Sequence, residues 1–566
     1  MSVIPVIDLF AGPGGLGEGF CAFECNGQRP FRIGVSVEKD KNAHRTLSLR
    51  CFYRQFHPDD VPEDYYEHLR GRITMEELFQ KWPMQARVVK REALRNELGK
   101  PNQDRVVDKH IFRILGNPPS CPWVLIGGPP CQAYSTVGRS RMKPKDPEGF
   151  ERDERHFLYQ EYLRIIRKFR PHIFVMENVT GILSSRVNGK RIIRQILRDL
   201  QNPSKAINGR SYADGGPQEY GIYSLVVPGD DCKELQPSDF VIKCEDYGIP
   251  QARHRVIILG VRSDLTGRPS ALIKQEHQVS VSDVISDMPK LRSMLSKEPD
   301  SLNAWRQAIT ALENEPWLDA LEPKELRDSI KSALANLDGT DGYGGEFVSC
   351  SPGPKVHEKW YVDIRLGGVC NHSTRGHLGA DLHRYLFAAC YAEMHDFSPR
   401  MRHFPEALYP DHKNVALAVA GEMFPDRFRV QLGNAPATTV TSHISKDGHY
   451  FIHYDPCQCR SLTVREAARL QTFPDDYFFE GDRTPQYKQV GNAVPPLLAR
   501  QIAAVVYDVL CQEKPISGDD GHTKPREEKL EHVTNPGHEY PAGDGRAIIA
   551  AQDGLPVQGA LSEVAG

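Results

Sequence analysis

Cysteine is scarce in this sequence and follows no framework pattern. The chain has 13 cysteines among 566 residues, and an odd count leaves at least one thiol free. Cys457 and Cys459 lie near His453, but their spacing is not that of a zinc knuckle and no second cysteine pair follows. We therefore predict free thiols, as in a reducing compartment, and no metal site.

Long apolar runs, leader sequences and internal repeats are also missing. No apolar run of about 18 residues, the length a membrane helix needs, is found. The first residues carry neither a basic leader nor a small-residue cleavage site, so no signal peptide is expected. These absences predict a soluble, cytoplasmic protein without a membrane partner.

An excess of basic residues is missing as well. The net charge is −3, and residues 513–566 hold five basic and ten acidic residues. This acidic tail is rich in Gly and Pro and is predicted to be disordered. The remaining 66 basic and 64 acidic residues nearly balance. A nucleic-acid partner would therefore need a locally basic cleft rather than an overall positive field.

Short apolar runs that end at Gly, Pro or acidic residues predict strands that alternate with helices. One helix is expected from Leu158 to Phe169, with Pro171 stopping it. The pattern predicts a doubly wound α/β fold with a mostly parallel sheet, in which ligands bind beyond the carboxyl ends of the strands. The predicted strands of this kind are Val3–Phe10, Trp123–Ile126, Ile173–Met176 and Val256–Val261.

Changes in composition and in apolar periodicity divide the chain into four parts. Residues 1–262 form the predicted catalytic and cofactor-binding domain, and residues 263–459 a smaller inserted domain of irregular, mixed structure. Residues 460–512 return to the compact pattern and complete the first domain, with Thr463 as the expected cap of a helix. The acidic tail, residues 513–566, follows.

A Gly-rich turn and an acidic residue predict a nucleoside-containing cofactor. Asp8–Gly15 follows the first strand, and its glycines allow a ligand to approach the backbone closely. The turn lacks the Lys and Ser/Thr of a phosphate-binding loop. Glu38 ends the next apolar run, where a carboxylate can accept both ribose hydroxyls. The glycine turn and Glu38 together do not identify which cofactor is bound.

Four further residues favour covalent chemistry at the same edge of the sheet. A single cysteine is usually a small buried hydrophobe. Cys131, however, leaves a strand on a loop stiffened by two prolines, which favours a reactive thiol. Glu177 ends another strand on this rim, and alternation is expected to point Arg253 and Arg255 to one side of the chain.

In their order along the chain, these segments resemble the DNA cytosine-5 methyltransferase family of bacterial restriction–modification systems. The resemblance spans residues 1–262 and 460–510. The family's variable target-recognition domain would then correspond to residues 263–459, where Ala437–Thr441 is similar to a short Thr-Val element of the family. The matching motifs are Asp8–Gly15, Glu38, Pro130–Gln132, Glu177–Val179, Gln251–Arg255 and Gln489–Pro496.

The resemblance implies methyl transfer from S-adenosyl-L-methionine to carbon 5 of a flipped-out cytosine in a specific double-stranded DNA sequence. Cys131 would be the nucleophile that adds to the ring, and Glu177 the proton donor. Arg253 and Arg255 would steady the base, with Arg255 assigned to the ring oxygen. Cofactor contacts are expected from Phe10, Gly12, Glu38, Pro130, Leu158 and Asn492. DNA contacts are expected from Gln132, Ser135, Arg139, Arg141 and Thr439.

Some questions stay open at this stage. The acid near the adenine amine could be Asp104, Asp108 or neither. The alternatives to a DNA methyltransferase are a transfer-RNA cytosine methyltransferase, a catalytically inactive DNA-binding relative and a small-molecule methyltransferase; the long insert at 263–459 and the complete set of four catalytic residues disfavour them. A restriction endonuclease acting on the same site is a possible partner, and a monomer is expected.

Overall fold

The computed structural model describes residues 3–116, 119, 121–130, 158–187, 190–206, 219–228, 235–337 and 342–512. The predictions for Cys131, Gln132, Ser135, Arg139, Arg141 and the acidic tail fall outside the described residues.

The centre of the fold is an eight-stranded sheet in the order β3-β2-β1-β4-β5-β11-β8, with β9 also paired to β11. The first five strands in this order pair in parallel, whereas β11 runs antiparallel to β5, β8 and β9. The prediction of a mostly parallel sheet is therefore confirmed. The strands are β1 (Ile4–Leu9), β2 (Phe31–Glu38), β3 (Ala93–Arg95), β4 (Val124–Gly127), β5 (Ile173–Val179), β6 (Arg186–Val187), β7 (Lys190–Arg191), β8 (Tyr220–Tyr223), β9 (Val241–Lys243), β10 (Gln251–Ala252), β11 (His254–Arg262), β12 (Met294–Leu295), β13 (Gly344–Ser349), β14 (Gly368–Ser373), β15 (Gly376–His377) and β16 (Ala437–Thr438).

Helices cover both faces of this sheet. Because side chains alternate along a strand, Val6 of β1 joins a core cluster on one face and Ile7 joins another on the opposite face. The helices are α1 (Gly15–Ala22), α2 (Lys41–Tyr53), α3 (Glu63–Leu69), α4 (Met75–Lys81), α5 (Pro83–Glu92), α6 (Pro101–Leu115), α7 (Leu158–Phe169), α8 (Ile192–Gln201), α9 (Pro203–Ala206), α10 (Val281–Ile285), α11 (Leu302–Thr310), α12 (Pro316–Asp319), α13 (Lys324–Ala335), α14 (Glu358–Tyr361), α15 (Gly379–His395), α16 (Val415–Val419), α17 (Val464–Leu470), α18 (Arg483–Asn492) and α19 (Pro496–Cys511). Helices α1 and α19 pack on the first face, and α6, α7 and α8 on the second, which makes the sheet doubly wound.

The carboxyl ends of β1, β4 and β5 lie side by side, as predicted, because these strands are parallel neighbours. We call this edge the rim. One boundary differs from the prediction: β5 does not end at Met176 but continues to Val179. Its antiparallel partner β11 keeps pairing there, with Ile257 opposite Glu177 and Arg255 opposite Val179. Glu177 is thus held within a strand rather than in the turn after it.

The inserted region, residues 263–459, is less irregular than its sequence suggested. Helix α15 has 17 residues, and its apolar side chains pack with those of α11 and α13 in a core cluster of their own. A second cluster joins Val281 and Ile285 of the insert to Leu462 and Tyr487 of the segment 460–512, which we call the return segment. The domain boundaries proposed from the sequence stay predictions.

One long apolar stretch of the chain was not predicted from the sequence. The stretch Arg483–Cys511 is long and apolar enough to cross a membrane by length and composition, which the sequence analysis did not find. Of its most apolar window, 72% is buried inside the protein, as in the core helix of a soluble protein. Most of this window is therefore packed inside the protein.

Candidate active site

The turn after β1, residues Phe10–Gly15, begins with an unusual backbone conformation. Phe10 has φ 56°, a left-handed conformation that bulky residues rarely adopt. Such outliers gather at functional sites, where the surrounding structure holds them in place. Gly12 follows at φ 57°, and a Cβ atom there would meet no atom within 4 Å. The glycine turn therefore faces open space at Gly12.

Glu38 connects the glycine turn to the end of β2. The backbone N–H of Gly12 donates to Glu38 Oε2 over 2.9 Å, and that of Asp40 donates to Oε1 over 2.7 Å. Burial raises the pKa of Glu38, although these backbone bonds oppose the shift. The structure thus brings together two of the predicted cofactor residues, Gly12 and Glu38, by a direct hydrogen bond.

The strand beside β2 adds a residue that sequence reasoning missed. Arg95 of β3 lies opposite Glu38, and the next residue, Asn96, donates its backbone N–H to the carbonyl oxygen of Glu38 over 3.1 Å. A strand of three residues is too short to show a periodic pattern in the sequence. Only the sheet topology therefore reveals that Asn96 lies beside Glu38. Leu158, at the start of α7, lies near the same loop: a Cβ on Gly99 would be 3.8 Å from its Cδ2 atom.

The two acidic candidates for the adenine amine already have partners. Asp104 accepts a hydrogen bond from the backbone N–H of Gly99 over 3.0 Å. Asp108 is paired with Arg164 at 2.9 Å and with Lys168 at 2.5 Å. Asp108 is therefore committed to an ion-pair cluster, and Asp104 to the loop after β3.

The return segment closes the other side of the glycine turn. The Tyr477 hydroxyl donates to the carbonyl oxygen of Pro13 over 2.5 Å. The carbonyl oxygen of Val494 lies where a Cβ on Gly15 would be only 2.2 Å away. Asn492, the last residue of α18, is exposed next to this contact. The predicted cofactor residue Asn492 is thus near the glycine turn in space, although it is distant in sequence.

The turn after β4 lies directly against Glu177. A Cβ on Gly128 would be 2.8 Å from Glu177 Oε2, so a side chain at this position would require the carboxylate to shift. Asn178 Nδ2 donates to the carbonyl oxygen of Pro129 over 3.2 Å and fixes the turn to the end of β5. Pro130, half-buried, is the last described residue before Cys131. Glu177 therefore lies beside the segment that leads to the predicted nucleophile.

Glu177 also contacts the predicted arginine of β11. Arg255 Nε lies 2.9 Å from Glu177 Oε1, and the side chains are 10% and 13% exposed. Burial raises the pKa of Glu177, although the charges of Arg255 and Arg253 oppose the shift. Within the described residues, Oε2 has no hydrogen-bond donor. A carboxyl group of this kind can hold a proton that a solvent-exposed glutamate would lose.

Arg253 has different partners from Arg255. Its side chain is fully buried, and it donates to the carbonyl oxygens of Val440, Gly491 and Ala493 over 2.7, 3.1 and 2.8 Å. These bonds join the insert to the return segment beside the rim. The Arg253 guanidinium is thus engaged with three backbone carbonyl oxygens.

Thr439, predicted to contact DNA, supports the same junction. Its hydroxyl donates to the carbonyl oxygen of Ala252 over 2.7 Å, and β16 pairs with β10 just before it. Gln251 accepts the backbone N–H of Val440 at 2.9 Å. The Thr-Val element is thus fixed to the residues that precede Arg253. Among the described residues, no group of three His, Cys, Asp or Glu side chains is arranged to hold a metal ion.

The chain is similar to known proteins over most of its length. The family model for C-5 cytosine-specific DNA methylases matches residues 108–203 and 238–508. The chain is 34% identical to the Type II methyltransferase M.Bpa9945I of Bacillus paralicheniformis, across 89% of this chain and 99% of the relative. It is 26% identical to the Type II methyltransferase M.AgeI of Thalassovita gelatinovora (88% and 98%) and 27% identical to M.DdeI of Desulfomicrobium norvegicum (67% and 71%).

Proposed function

The chain belongs to the C-5 cytosine-specific DNA methylase family, and we propose that it methylates carbon 5 of a cytosine in a specific double-stranded DNA sequence through a covalent bond to Cys131. The position of Glu177 is the observation that carries this proposal. The carboxyl group lies against Gly128, and Asn178 ties the same turn to β5 through Pro129, two residues before the thiol.

The chemistry explains why a cysteine and a protonated glutamate are needed together. Carbon 5 of cytosine is a weak nucleophile, but addition of the Cys131 thiolate to carbon 6 moves the ring electrons toward carbon 5 and nitrogen 3. Glu177 donates its proton at nitrogen 3 and so neutralises the charge that develops there. After methyl transfer, water accepts the proton from carbon 5, nitrogen 3 returns its proton to Glu177, and the double bond between carbons 5 and 6 re-forms as Cys131 leaves as the thiolate.

The two arginines take separate roles in this scheme. Arg255 contacts Glu177 Oε1 and would orient the carboxyl group. We assign the ring oxygen of the cytosine to the same arginine. Arg253 would hold the rim, the insert and the return segment together through its bonds to three backbone carbonyl oxygens. Its effect on catalysis would therefore be indirect.

The end of the sheet at β1, β2 and β3 fits S-adenosyl-L-methionine. When bound, this cofactor supplies an electrophilic methyl group. The Glu38 carboxylate has the position and charge to accept ribose hydroxyls, and the open space at Gly12 admits the methionine part. We assign the adenine side to Phe10 and to Asn96 at the end of β3. The remaining contacts are assigned to Pro130, Leu158 and Asn492.

We further propose that the insert, residues 263–459, recognises the DNA and that the target cytosine is flipped out of the duplex to reach Cys131. Gln132, Ser135, Arg139, Arg141 and Thr439 stay the predicted DNA contacts. The Type II relatives favour a restriction–modification role, in which a cognate endonuclease cleaves the same sequence when it is unmethylated. We expect a cytoplasmic monomer.

Bisulfite sequencing of plasmid DNA from cells that express the chain tests this function. The expected result is protection of cytosine in one sequence context, with no protection in cells expressing the Cys131→Ser variant. The purified variant should still bind duplex DNA and cofactor, because serine changes little besides the nucleophile. Undiminished methylation by Cys131→Ser would exclude the covalent mechanism while leaving the enzyme class intact.

A further inference from the structure

The glycine turn depends on contacts from outside itself to hold a single conformation. Gly12 and Gly14 have φ angles of 57° and 100°, which glycine reaches at little steric cost but can also leave easily. Within the turn, the backbone N–H of Gly14 donates to the carbonyl oxygen of Ala11 over 2.9 Å. This one internal bond lies beside two flexible residues, so the neighbouring elements must supply further restraint.

Tyr477 of the return segment supplies such a restraint. Its side chain is fully buried, and its hydroxyl donates to the carbonyl oxygen of Pro13 over 2.5 Å. Burial raises the pKa of Tyr477, so the hydroxyl keeps its proton and acts as the donor. Pro13 is buried as well, and a buried carbonyl oxygen that loses its partner is costly. The bond therefore favours the conformation of the turn in which the Pro13 carbonyl faces Tyr477.

The position of Tyr477 is fixed by groups outside the turn. Its ring centre lies 4.7 Å from that of Phe473 and 5.5 Å from that of Phe479. Its backbone carbonyl oxygen accepts from Arg465 over 2.6 Å. The guanidinium of Arg50 on α2 lies 4.9 Å from the ring centre. A close-packed ring of this kind has one position in the core, and the turn adapts to it.

Arg50 also connects the return segment to the first turn of α1, which follows the glycine turn directly. Its guanidinium donates to both carboxylate oxygens of Glu18 over 3.0 and 2.6 Å, and to Asp476 Oδ2 over 2.7 Å. The three side chains are buried. Breaking such a buried ion pair is costly, because it leaves an uncompensated charge. The start of α1 and Tyr477 are thus held in a fixed relation to each other.

We propose that Tyr477 is a positioning residue for S-adenosyl-L-methionine, whose hydroxyl holds the glycine turn in its receiving conformation before the cofactor binds. The inference rests on the proposed assignment of this cofactor to Gly12 and Glu38. A turn that is already ordered loses little freedom on binding, which raises the affinity. Without the hydroxyl, the glycines let the turn adopt other conformations, and only a fraction of the molecules can bind.

The test compares two substitutions of the same kind. Tyr477→Phe removes the hydroxyl and keeps the ring. Tyr361→Phe is the matched control, because Tyr361 is also fully buried and its hydroxyl donates to a backbone carbonyl oxygen outside the glycine turn, that of Arg469, over 2.9 Å. The measurements are the melting temperature, the affinity for S-adenosyl-L-methionine by calorimetry without DNA, and KM and kcat with duplex DNA.

Both variants should melt at a lower temperature than the wild type, since each loses one buried hydrogen bond. Only Tyr477→Phe should bind S-adenosyl-L-methionine more weakly, about five- to tenfold, with a larger loss of entropy on binding. The KM for the cofactor should rise by the same factor, whereas kcat at saturating cofactor should stay at the wild-type value. Wild-type affinity in Tyr477→Phe, or an equal loss in Tyr361→Phe, would overturn the proposal.

Hydrogen exchange tests the same inference in the wild type, so the result does not depend on the folding of a variant. Without cofactor, the backbone N–H groups of Gly12 and Gly14 should be protected from exchange, and Tyr477→Phe should reduce that protection. Rapid exchange at both glycines in the cofactor-free wild type would show that the turn is not ordered in advance and would overturn the proposal. If the wild type binds no S-adenosyl-L-methionine, the proposed function fails instead.

Discussion

The rim and the return segment each bury a glutamate beside an arginine, but the two carboxyl groups behave in opposite ways. Burial raises the pKa of Glu177, and its contact with Arg255 only weakens the effect. Burial acts in the same direction on Glu466, yet Arg460 outweighs it and the pKa of Glu466 is lowered.

The number of donors explains the difference. Both oxygens of Glu466 accept from Arg460 at 2.7 Å, and Oε2 also accepts the backbone N–H of Thr463 as part of the cap of α17. Glu177 has one arginine contact at Oε1 and no donor at Oε2 within the described residues. A saturated carboxylate anchors the fold, whereas an unsaturated one keeps a site for a proton.

Glu177→Gln gives the largest expected effect. The methyl-transfer rate should fall about 10²- to 10⁴-fold, because the amide cannot donate the proton that the ring nitrogen needs. The fold should persist, since the amide oxygen can still accept from Arg255. Single-turnover transfer to duplex DNA and the melting temperature are the two measurements. A stable variant with full activity would remove Glu177 from the mechanism.

Glu466→Gln should instead reduce the stability of the fold. The amide group of glutamine would bring a donor toward Arg460 or Thr463, which leaves a buried charge unsatisfied. We expect a loss of about 3–5 kcal/mol in the free energy of unfolding. Denaturant unfolding of purified protein measures it, with Glu325→Gln on an exposed helix surface as the control. If Glu466→Gln unfolds like the wild type, the number of hydrogen-bond donors does not explain why the pKa of Glu466 is lowered while that of Glu177 is raised.

Glu466 and Glu177 should also differ in how they respond to pH, with an effect smaller than that of either substitution. The folded pKa of Glu466 lies below its ordinary value, so its contribution to stability is present above that value and is lost as pH falls through the lowered pKa. The folded pKa of Glu177 lies above its ordinary value, so its protonated form decreases as pH rises through the raised pKa.

Transfer rates should therefore decline on the alkaline side of that pKa, whereas the melting temperature should decline on the acid side through Glu466. Measuring both against pH for the wild type and for Glu177→Gln makes the comparison direct. An alkaline decline in rate that is the same in Glu177→Gln would assign it to another group.

Much of the fold followed from local patterns. Short apolar runs that end at Gly, Pro or acidic residues predicted β1, β4 and β5, and Thr463 was recognised as the cap of α17. Asn96 was missed because β3 has three residues, and the length of α15 was missed because its apolar stripe is interrupted by His and Arg. Both depend on partners that are distant along the chain.

By itself, the sequence determined which residue types occur and the strand ends that carry them, because backbone turns and apolar periodicity are local properties. It placed Gly12 after one predicted strand, Glu38 at the end of the next apolar run and Glu177 near the end of another strand. Only the tertiary structure decided what these groups can do. The pKa of a carboxyl group depends on its burial and on every donor that reaches it, and for Glu177 those neighbours come from β4, β5 and β11.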